Sequence, residues 1–369
     1  MPKIRVLVVD DAVVMRKIIS DVISRDPELE VAAVAANGKI ALQRIPQVNP
    51  DVVTLDVEMP EMDGVTTVRE IRKVYPKLPV VMFSTLTQRG AEVTLDALSA
   101  GANDYVTKPA NVGSVTESMN RLATELLPRL KSFFHPKSGP PPLAPGPRVS
   151  SPVSVPVPTL PLTVRPARGP RGPIEVVCVG TSTGGPNALA DVFGAIRKPL
   201  PVPMVIVQHM PPVFTKILAE RLAKIAGLPV VEGSDGVCVE PGGVYLAPGG
   251  KHMEVRKDGN QIRLRLHEGT PENSCRPAVD VLFRSVAEVY GASTLAVVMT
   301  GMGQDGLRGC EVIRERGGQV IAQDQATSVV WGMPGYVVQH GLADAVLPLL
   351  QIGPDLVRRV QEKRCAVHA

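Results

Sequence analysis

A proline-rich segment divides this sequence and limits what the chain can fold into. Thirteen of its 36 prolines lie within residues 136–173, separated mainly by Ser, Gly and Val. Proline lacks a backbone N–H, and a segment with so few large apolar side chains cannot bury a core. We therefore predict an extended tether over residues 132–173, which joins a domain at residues 1–131 to a second at residues 174–369.

The distribution of charge argues against nucleic acid as a partner. The formal net charge is +4 at pH 7. Residues 132–173 hold five basic residues and no acidic ones: Lys137, Arg148, Arg165, Arg168 and Arg171. The two predicted domains are therefore close to neutral and lack the basic surface that nucleic-acid binding requires. We interpret the basic residues as a solvated part of the tether, with a nucleic-acid-binding arm as the alternative.

The cellular compartment is predicted from the lack of a signal sequence, of a membrane-spanning segment and of closely spaced cysteines. It has no basic and then apolar N-terminal signal, and no apolar run of membrane-spanning length. Its cysteines are far apart and include no CxxC pair: Cys178, Cys238, Cys275, Cys310 and Cys365. This spacing favours free thiols over a disulfide framework or a zinc site. We expect a soluble cytoplasmic monomer that does not insert into a membrane.

Both predicted domains alternate short apolar strands with helical patterns. Examples are "IRVLVVDD" and "VVMFST" in the first domain, and "IEVVCVG" and "VPMVIVQHM" in the second. Continuous β-branched strands of this kind are buried on both faces, in parallel sheets covered by helices. We predict an α/β protein with an N-terminal flavodoxin-like (βα)5 domain and a C-terminal doubly wound, mainly parallel domain.

One segment of the second domain departs from the parallel pattern. Residues 251–269 alternate apolar and polar side chains on either side of Asp258-Gly259, which predicts an antiparallel hairpin. The same alternation places His252 and His267 with charged residues, so we expect both histidines to face solvent.

Carboxylate, hydroxyl and ammonium side chains follow the strands of the first domain. Asp10 and Asp11 end the first strand, Asp56 ends the third, and Ser84 and Lys108 follow the last two. The carboxyl ends of parallel strands meet at one edge, where three carboxylates suit Mg²⁺. With a lysine and a hydroxyl beside them, they predict phosphoryl transfer to Asp56. Helix capping with a surface lysine is the alternative.

The stretches "VLVVDD", "TLDVEMPEMDG", "FST" and "YVTKP" resemble the response-regulator receiver family over residues 1–125. The resemblance implies roles for six residues: Asp56 as phosphoacceptor, Asp10 and Asp11 with it as the Mg²⁺ pocket, Ser84 and Lys108 as phosphate contacts, and Tyr105 as the switch aromatic.

The stretch "VVCVGTSTGGPNAL" at residues 176–189 fits two kinds of loop. Gly180-x-Ser182-x-x-Gly185 is close to a dinucleotide-binding fingerprint, whereas Gly180-x-Ser182-x-Gly184 has the spacing of a nucleophile elbow. A dinucleotide loop requires an acidic residue at the end of the next strand. That strand ends in His209 instead, which favours a loop that presents Ser182.

Three strand ends of the second domain offer a hydroxyl, an imidazole and a carboxylate. Ser182, His209 and Asp305 each follow an apolar strand, so parallel topology brings them to one edge. The order Ser, His, Asp differs from that of α/β-hydrolases, which disfavours that fold. Asp305-Gly306 alone also fits a turn or a helix N-cap. Backbone N–H groups at Thr183 or around Met302 are candidates for an oxyanion hole.

The motifs "GTSTGGP", "QHMPPVFT", "YLAPGGKHMEV", "RPAVDVLFRSVA" and "TGMGQDG" resemble the catalytic domain of the CheB family, chemotaxis protein-glutamate methylesterases, over nearly all of residues 174–350. The resemblance implies Ser182 as nucleophile, His209 as general base and Asp305 as its orienting acid, with Thr183 and Met302 near the oxyanion. Gln304 and Trp331 depart from the usual Asn and Phe, and neither change removes a catalytic group.

The two resemblances together imply an enzyme controlled by phosphorylation. We expect hydrolysis of glutamate γ-methyl esters, and deamidation of glutamines, on methyl-accepting chemotaxis receptors. A CheA-type histidine kinase is the expected phosphodonor, Mg²⁺ the expected receiver cofactor, and no cofactor is expected for ester hydrolysis. A response regulator with a non-catalytic, partner-binding output is the alternative. A DNA-binding output is disfavoured, because no helix-turn-helix pattern is present.

Overall fold

The computed structural model describes residues 2–108, 115–134 and 173–362. Most of the predicted tether, residues 135–172, lies outside the described residues. Within the described ranges, no helix combines the length and apolar character needed to cross a membrane.

The N-terminal domain is a five-stranded parallel sheet with helices on both faces. Its strands are β1 Ile4–Val9, β2 Leu29–Ala35, β3 Val52–Asp56, β4 Val80–Ser84 and β5 Asp104–Thr107. They lie in the order β2-β1-β3-β4-β5. The helices are α1 Val13–Ser24, α2 Gly38–Val48, α3 Gly64–Val74, α4 Gln88–Ser99 and α5 Val115–Ser132. The central strands β3 and β4 are buried throughout, as their β-branched sequences predict.

The C-terminal domain contains a seven-stranded parallel sheet in the order β14-β13-β12-β6-β7-β9-β8. Its strands are β6 Val176–Thr181, β7 Met204–Gln208, β8 Val230–Glu232, β9 Val244–Leu246, β12 Thr294–Val298, β13 Gln319–Gln323 and β14 Ala345–Leu347; β10 His252–Asp258 and β11 Gln261–His267 lie apart. The helices are α6 Gly185–Ala195, α7 Phe214–Ala226, α8 Val279–Tyr290, α9 Leu307–Glu315, α10 Met333–Gln339 and α11 Leu349–Glu362.

Strands β10 and β11 form the predicted antiparallel hairpin, with Asp258 paired to Gln261 across a two-residue turn. The predicted α/β fold class is therefore confirmed in both domains. The expectation that His252 faces solvent was wrong, since it is 1% exposed. Its ring accepts a hydrogen bond from Ala278 N (3.2 Å) and contacts Thr270 O (3.1 Å), because the chain after β11 folds back over the start of β10.

The two domains pack against each other through α4 and β5 on one side and α6 and α7 on the other. Asn187 Nδ2 donates to Leu98 O (2.7 Å), and Arg221 pairs with Asp96 at 3.3 Å. This contact lies beside the edge where β6 ends and α6 begins, so it borders the predicted nucleophile.

Candidate active site and phosphorylation site

The three side chains of the predicted triad lie at one edge of the seven-stranded sheet. Ser182 directly follows β6, His209 directly follows β7, and Asp305 lies in the loop between β12 and α9. Strands β12, β6 and β7 are neighbours and run parallel. Their carboxyl ends therefore bring together residues that are far apart in the chain.

His209 and Asp305 are joined by a short contact, with Nε2 2.8 Å from Oδ2. Asp305 is buried and also accepts hydrogen bonds from the N–H groups of Val279 (2.6 Å) and Asp280 (3.0 Å). These amides begin α8 and have no partner within the helix. Burial raises the pKa of Asp305, but the hydrogen bond and charge of His209, with both amides, lower it below its ordinary value. The carboxylate is thus held ionised and can orient the imidazole.

Ser182 lies at the same edge of the sheet as its predicted base. Its backbone is fixed by hydrogen bonds from Ser182 N to Thr300 O (3.0 Å) and from Gln208 Nε2 to Ser182 O (2.9 Å). Within the described residues, the half-buried Ser182 hydroxyl makes no hydrogen bond to His209. Because Asp305 occupies Nε2, Nδ1 is the ring nitrogen left to take a proton from Ser182.

Cys275 occupies the neighbourhood of that nitrogen, with Sγ 3.5 Å from His209 Nδ1. Burial lowers the pKa of His209, but the charge of Cys275 and the hydrogen bonds with Asp305 and Cys275 raise it to about 10. The thiol therefore lies beside the nitrogen that Ser182 has to reach for general-base chemistry.

Two glycines let the backbone approach the nucleophile closely. A Cβ atom on Gly301 would lie 2.8 Å from Ser182 Cβ and 2.3 Å from Met333 Sδ. A Cβ atom on Gly185 would lie 1.9 Å from Gln208 Oε1. Both positions therefore require glycine for packing, independently of any role as a phosphate loop.

The predicted oxyanion residues Thr183 and Met302 both lie beside Ser182. Thr183 follows it directly and is buried, and Met302 lies in the loop that begins at Gly301. The Thr183 hydroxyl donates to Asp104 Oδ2 of the N-terminal domain at 2.8 Å. Their role at the oxyanion stays a prediction, but Thr183 is directly coupled to the other domain.

Asp104 is 4% exposed and is held from its own side by Arg129 Nη1 at 2.7 Å. Beside it, Tyr105 stacks on Phe214, the first residue of α7, with ring centroids 4.9 Å apart and planes 5° apart. A buried carboxylate and an aromatic ring of the N-terminal domain thus cover the rim of the catalytic edge.

The N-terminal sheet ends in the predicted acidic cluster. Asp10, Asp11 and Asp56 each place a carboxylate oxygen within 4.8 Å of the others. Lys108 Nζ lies 2.7 Å from Asp56 Oδ2 and 3.0 Å from Asp10 Oδ2. Burial, together with the charges of Asp10 and Asp11, raises the pKa of Asp56 to about 6, although the hydrogen bond and charge of Lys108 lower it. A hard divalent cation fits these oxygens and relieves their repulsion.

Ser84 lies at the end of β4, but its hydroxyl is directed to α4. Its Oγ accepts from Thr94 Oγ1 at 2.6 Å and donates to Gly90 O at 3.1 Å. In the described residues, neither the Ser84 nor the Tyr105 hydroxyl forms a hydrogen bond with Asp56. Their predicted roles at a phosphorylated Asp56 therefore require a rearrangement of this edge.

Sequence reasoning did not identify Asp104, Cys275 or Asn273 as parts of the site. Asn273 Nδ2 donates at 2.9 Å to Asp305 Oδ1 and at 2.9 Å to Asp280 Oδ2. Its φ of 53° is a conformation that asparagine tolerates better than most residues. That preference was the one signal in the sequence, and it is too general to locate a functional residue.

The two folds and their family matches define a response regulator whose output domain is a hydrolase. Residues 6–120 match the family model of the response regulator receiver domain, and residues 177–356 match that of CheB methylesterase. Both matches fall inside the predicted domains, whose outer boundaries stay predictions.

Full-length relatives support the same assignment. The chain is 52% identical over 364 residues to a protein-glutamate methylesterase/protein-glutamine glutaminase of Nocardioides, with 99% of this chain and 97% of that protein covered. It is 49% identical to the Trichodesmium erythraeum protein of the same name, with 98% and 100% covered. A crystal structure of the Thermotoga maritima CheB catalytic domain shares 43% identity over 50% of this chain and 98% of that domain, with a TM-score of 0.49. The chain belongs to the CheB methylesterase family and is a carboxylic ester hydrolase.

Proposed function

We propose that this protein hydrolyses glutamate γ-methyl esters on methyl-accepting chemotaxis receptors and deamidates receptor glutamines by the same route. Two observations support this proposal. The full-length relatives carry the name of this activity, and Ser182, His209 and Asp305 lie at one edge of the seven-stranded sheet. Both substrates are acyl derivatives of one side chain, so a single acyl-enzyme serves both reactions. We expect the reaction to take place in the cytoplasm.

In the proposed reaction, Ser182 Oγ attacks the ester carbonyl carbon while its proton passes to His209 Nδ1. Asp305 accepts the Nε2–H hydrogen bond and stabilises the imidazolium. The oxyanion of the tetrahedral intermediate is stabilised by N–H groups next to Thr183 and Met302. Methanol leaves with the proton from His209, and water then hydrolyses the acyl-enzyme to glutamate and free Ser182. Glutamine follows the same path with ammonia as the leaving group.

We propose that the docked N-terminal domain holds this reaction off. The observation that supports this most directly is the 2.8 Å hydrogen bond from Thr183 to Asp104. It places a buried carboxylate beside the predicted oxyanion pocket, where negative charge disfavours a developing oxyanion. A chemoreceptor helix also cannot approach Ser182 while α4 and β5 cover this rim.

Phosphorylation of Asp56 by a CheA-type kinase is the proposed release signal. Ser84 can contact a phosphoryl oxygen only by giving up its hydrogen bonds to Gly90 and Thr94 in α4. Because α4 also holds the Leu98 contact with Asn187, its displacement weakens docking. Phosphorylation then shifts the population from docked to undocked molecules.

Asp10, Asp11 and Asp56 are the residues that would hold Mg²⁺, because each offers a carboxylate oxygen within 4.8 Å of the others. Mg²⁺ bound there neutralises the negative charge of phosphoryl oxygens. Lys108, which already lies 2.7 Å from Asp56, provides a second positive charge for a phosphoryl group.

Methanol release from a methylated chemoreceptor tests the proposal. The full chain should release methanol slowly, and faster when a small-molecule phosphodonor is added. Asp56→Asn should retain the slow rate and lose the response. No methanol release with or without the phosphodonor would contradict the esterase and favour a partner-binding output.

A further inference from the structure

The thiol of Cys275 lies next to the imidazole of His209, so the two side chains could bind one ligand together. Its Sγ is 3.5 Å from His209 Nδ1, and the side chain is half-buried. Its backbone is held in a tight turn, because Cys275 N donates to Glu272 O (2.9 Å) and Glu272 N donates to Cys275 O (3.1 Å). The thiol is therefore placed by the fold and not by a mobile loop end.

The separation of these two atoms matches that of two ligands on one zinc ion. Zinc binds imidazole nitrogen at about 2.0–2.1 Å and thiolate sulfur at about 2.3 Å with tetrahedral angles, which places the two ligand atoms about 3.5–3.6 Å apart. His209 Nδ1 and Cys275 Sγ already have this spacing. A cation between them needs no movement of the backbone.

The other side of the imidazole is arranged as in metal sites. Asp305 lies 2.8 Å from Nε2 and is placed to accept its N–H, so Nδ1 is the nitrogen that a cation would bind in place of a proton. A carboxylate on the second ring nitrogen orients metal-bound histidines and raises their basicity. The donor set of thiolate and imidazole also differs in kind from the oxygen-only cluster around Asp56, which favours Mg²⁺.

We propose that Cys275 Sγ and His209 Nδ1 form a binding site for a thiophilic divalent cation of the zinc type, and that the bound cation inhibits the esterase. Binding releases the thiol proton, and water molecules complete the coordination. Inhibition follows because the cation occupies the lone pair that takes the serine proton. The inhibition rests on the proposed role of His209 as base, whereas the binding does not.

Cobalt titration separates the two parts of the proposal. The full-length protein is kept in excess Mg²⁺, which occupies the receiver carboxylates, and is titrated with Co²⁺ without oxygen. We expect a thiolate-to-cobalt charge-transfer absorption that saturates at one equivalent and disappears when Zn²⁺ displaces the cobalt. Zn²⁺ should lower the rate of methanol release over the same concentration range.

Cys275→Ser and Cys275→Ala should lose the absorption and weaken zinc inhibition, relative to their own metal-free rates, by roughly tenfold or more. Cys238→Ser and Cys365→Ser are the matched controls and should keep both properties. An absorption that survives in both Cys275 variants, or is absent from the unaltered protein, overturns the site. A normal absorption with no effect of zinc on the rate overturns the inhibition and the base role of His209, and leaves the binding in place.

Discussion

The two domains use the same position in the same kind of sheet for two chemistries, and the two edges differ in how complete they are. At the receiver edge, Lys108 already contacts Asp56 and Asp10. At the catalytic edge, His209 and Asp305 are paired, but Ser182 lacks its base and Thr183 is held by Asp104 of the other domain. The receiver site is built within one domain, whereas the catalytic edge also has a hydrogen bond to the other domain.

Strand β5 connects the two regions in the proposed control. Asp104 is the first residue of β5 and Lys108 follows its last, so the docking carboxylate and the phosphorylation site lie at opposite ends of one four-residue strand. At about 3.3 Å per residue, these ends are only some 13 Å apart. In the proposed control, a change at Lys108 would have to cross only this short strand to reach Asp104.

The largest expected effect is at the nucleophile. Ser182→Ala removes the atom that forms the acyl-enzyme, so methanol release should fall by a factor on the order of 10⁶. The decline should be the same with and without phosphodonor, because the receiver edge does not contain Ser182. A variant that keeps substantial activity would show that the catalytic edge works by another nucleophile.

Asp305→Asn should follow, with a loss on the order of 10⁴ in kcat. The amide cannot accept every bond that the carboxylate accepts from His209, Val279 and Asp280, so the imidazole loses its orientation. Steady-state rates with a methylated receptor measure this. An unchanged kcat would mean that Asp305 only caps α8.

Asp104→Asn tests the contact between the two domains and should raise the unphosphorylated rate by about tenfold, since charge-assisted hydrogen bonds contribute about 1.5–3 kcal/mol. The amide keeps an acceptor for Arg129 while removing the charge next to Thr183. Asp96→Asn is the matched control, because its pair with Arg221 is exposed and should contribute little. Equal effects of the two substitutions would argue against a special role for the buried carboxylate.

Asn187→Ala should have the smallest effect, a rise of about fivefold in the unphosphorylated rate, as expected for about 1 kcal/mol of hydrogen bonding. It removes the contacts with Leu98 O and Ala102 O without touching the triad. Asn260→Ala, in the exposed hairpin turn, is the control. A rate that falls in Asn187→Ala would place this residue in the catalytic machinery instead.

Sequence patterns predicted the two sheets, the hairpin and the residues that follow the ends of parallel strands. The runs of buried β-branched residues identified both sheets, and the turn at Asp258-Gly259 identified the hairpin. Parallel topology also placed His209 and Asp305 at one edge, where they meet at 2.8 Å. These features follow from local periodicity and from the rule that parallel strands end together.

The contacts of Asp104 with Thr183 and of Cys275 with His209 could not be predicted, because no periodic sequence pattern indicates them. Asp104 meets Thr183 only because two separately folding domains dock, and the sequence between them contains no signal for the docking angle. Cys275 reaches His209 because the chain between β11 and α8 turns back on itself, which also buries His252. Such loops are positioned by packing contacts and by single hydrogen bonds, and the spacing of residues in the sequence does not reveal these contacts.

The most direct test of the proposed control is the esterase rate of a protein that cannot be phosphorylated and cannot dock. Asp56→Asn combined with Asp104→Asn and Asn187→Ala should release methanol from a methylated receptor as fast as the phosphorylated, unaltered protein does. Asp56→Asn alone should remain slow under the same conditions. If the triple variant stays as slow as Asp56→Asn, the contact between the two domains at Asp104 and Asn187 is not what phosphorylation removes, and the proposed control is wrong.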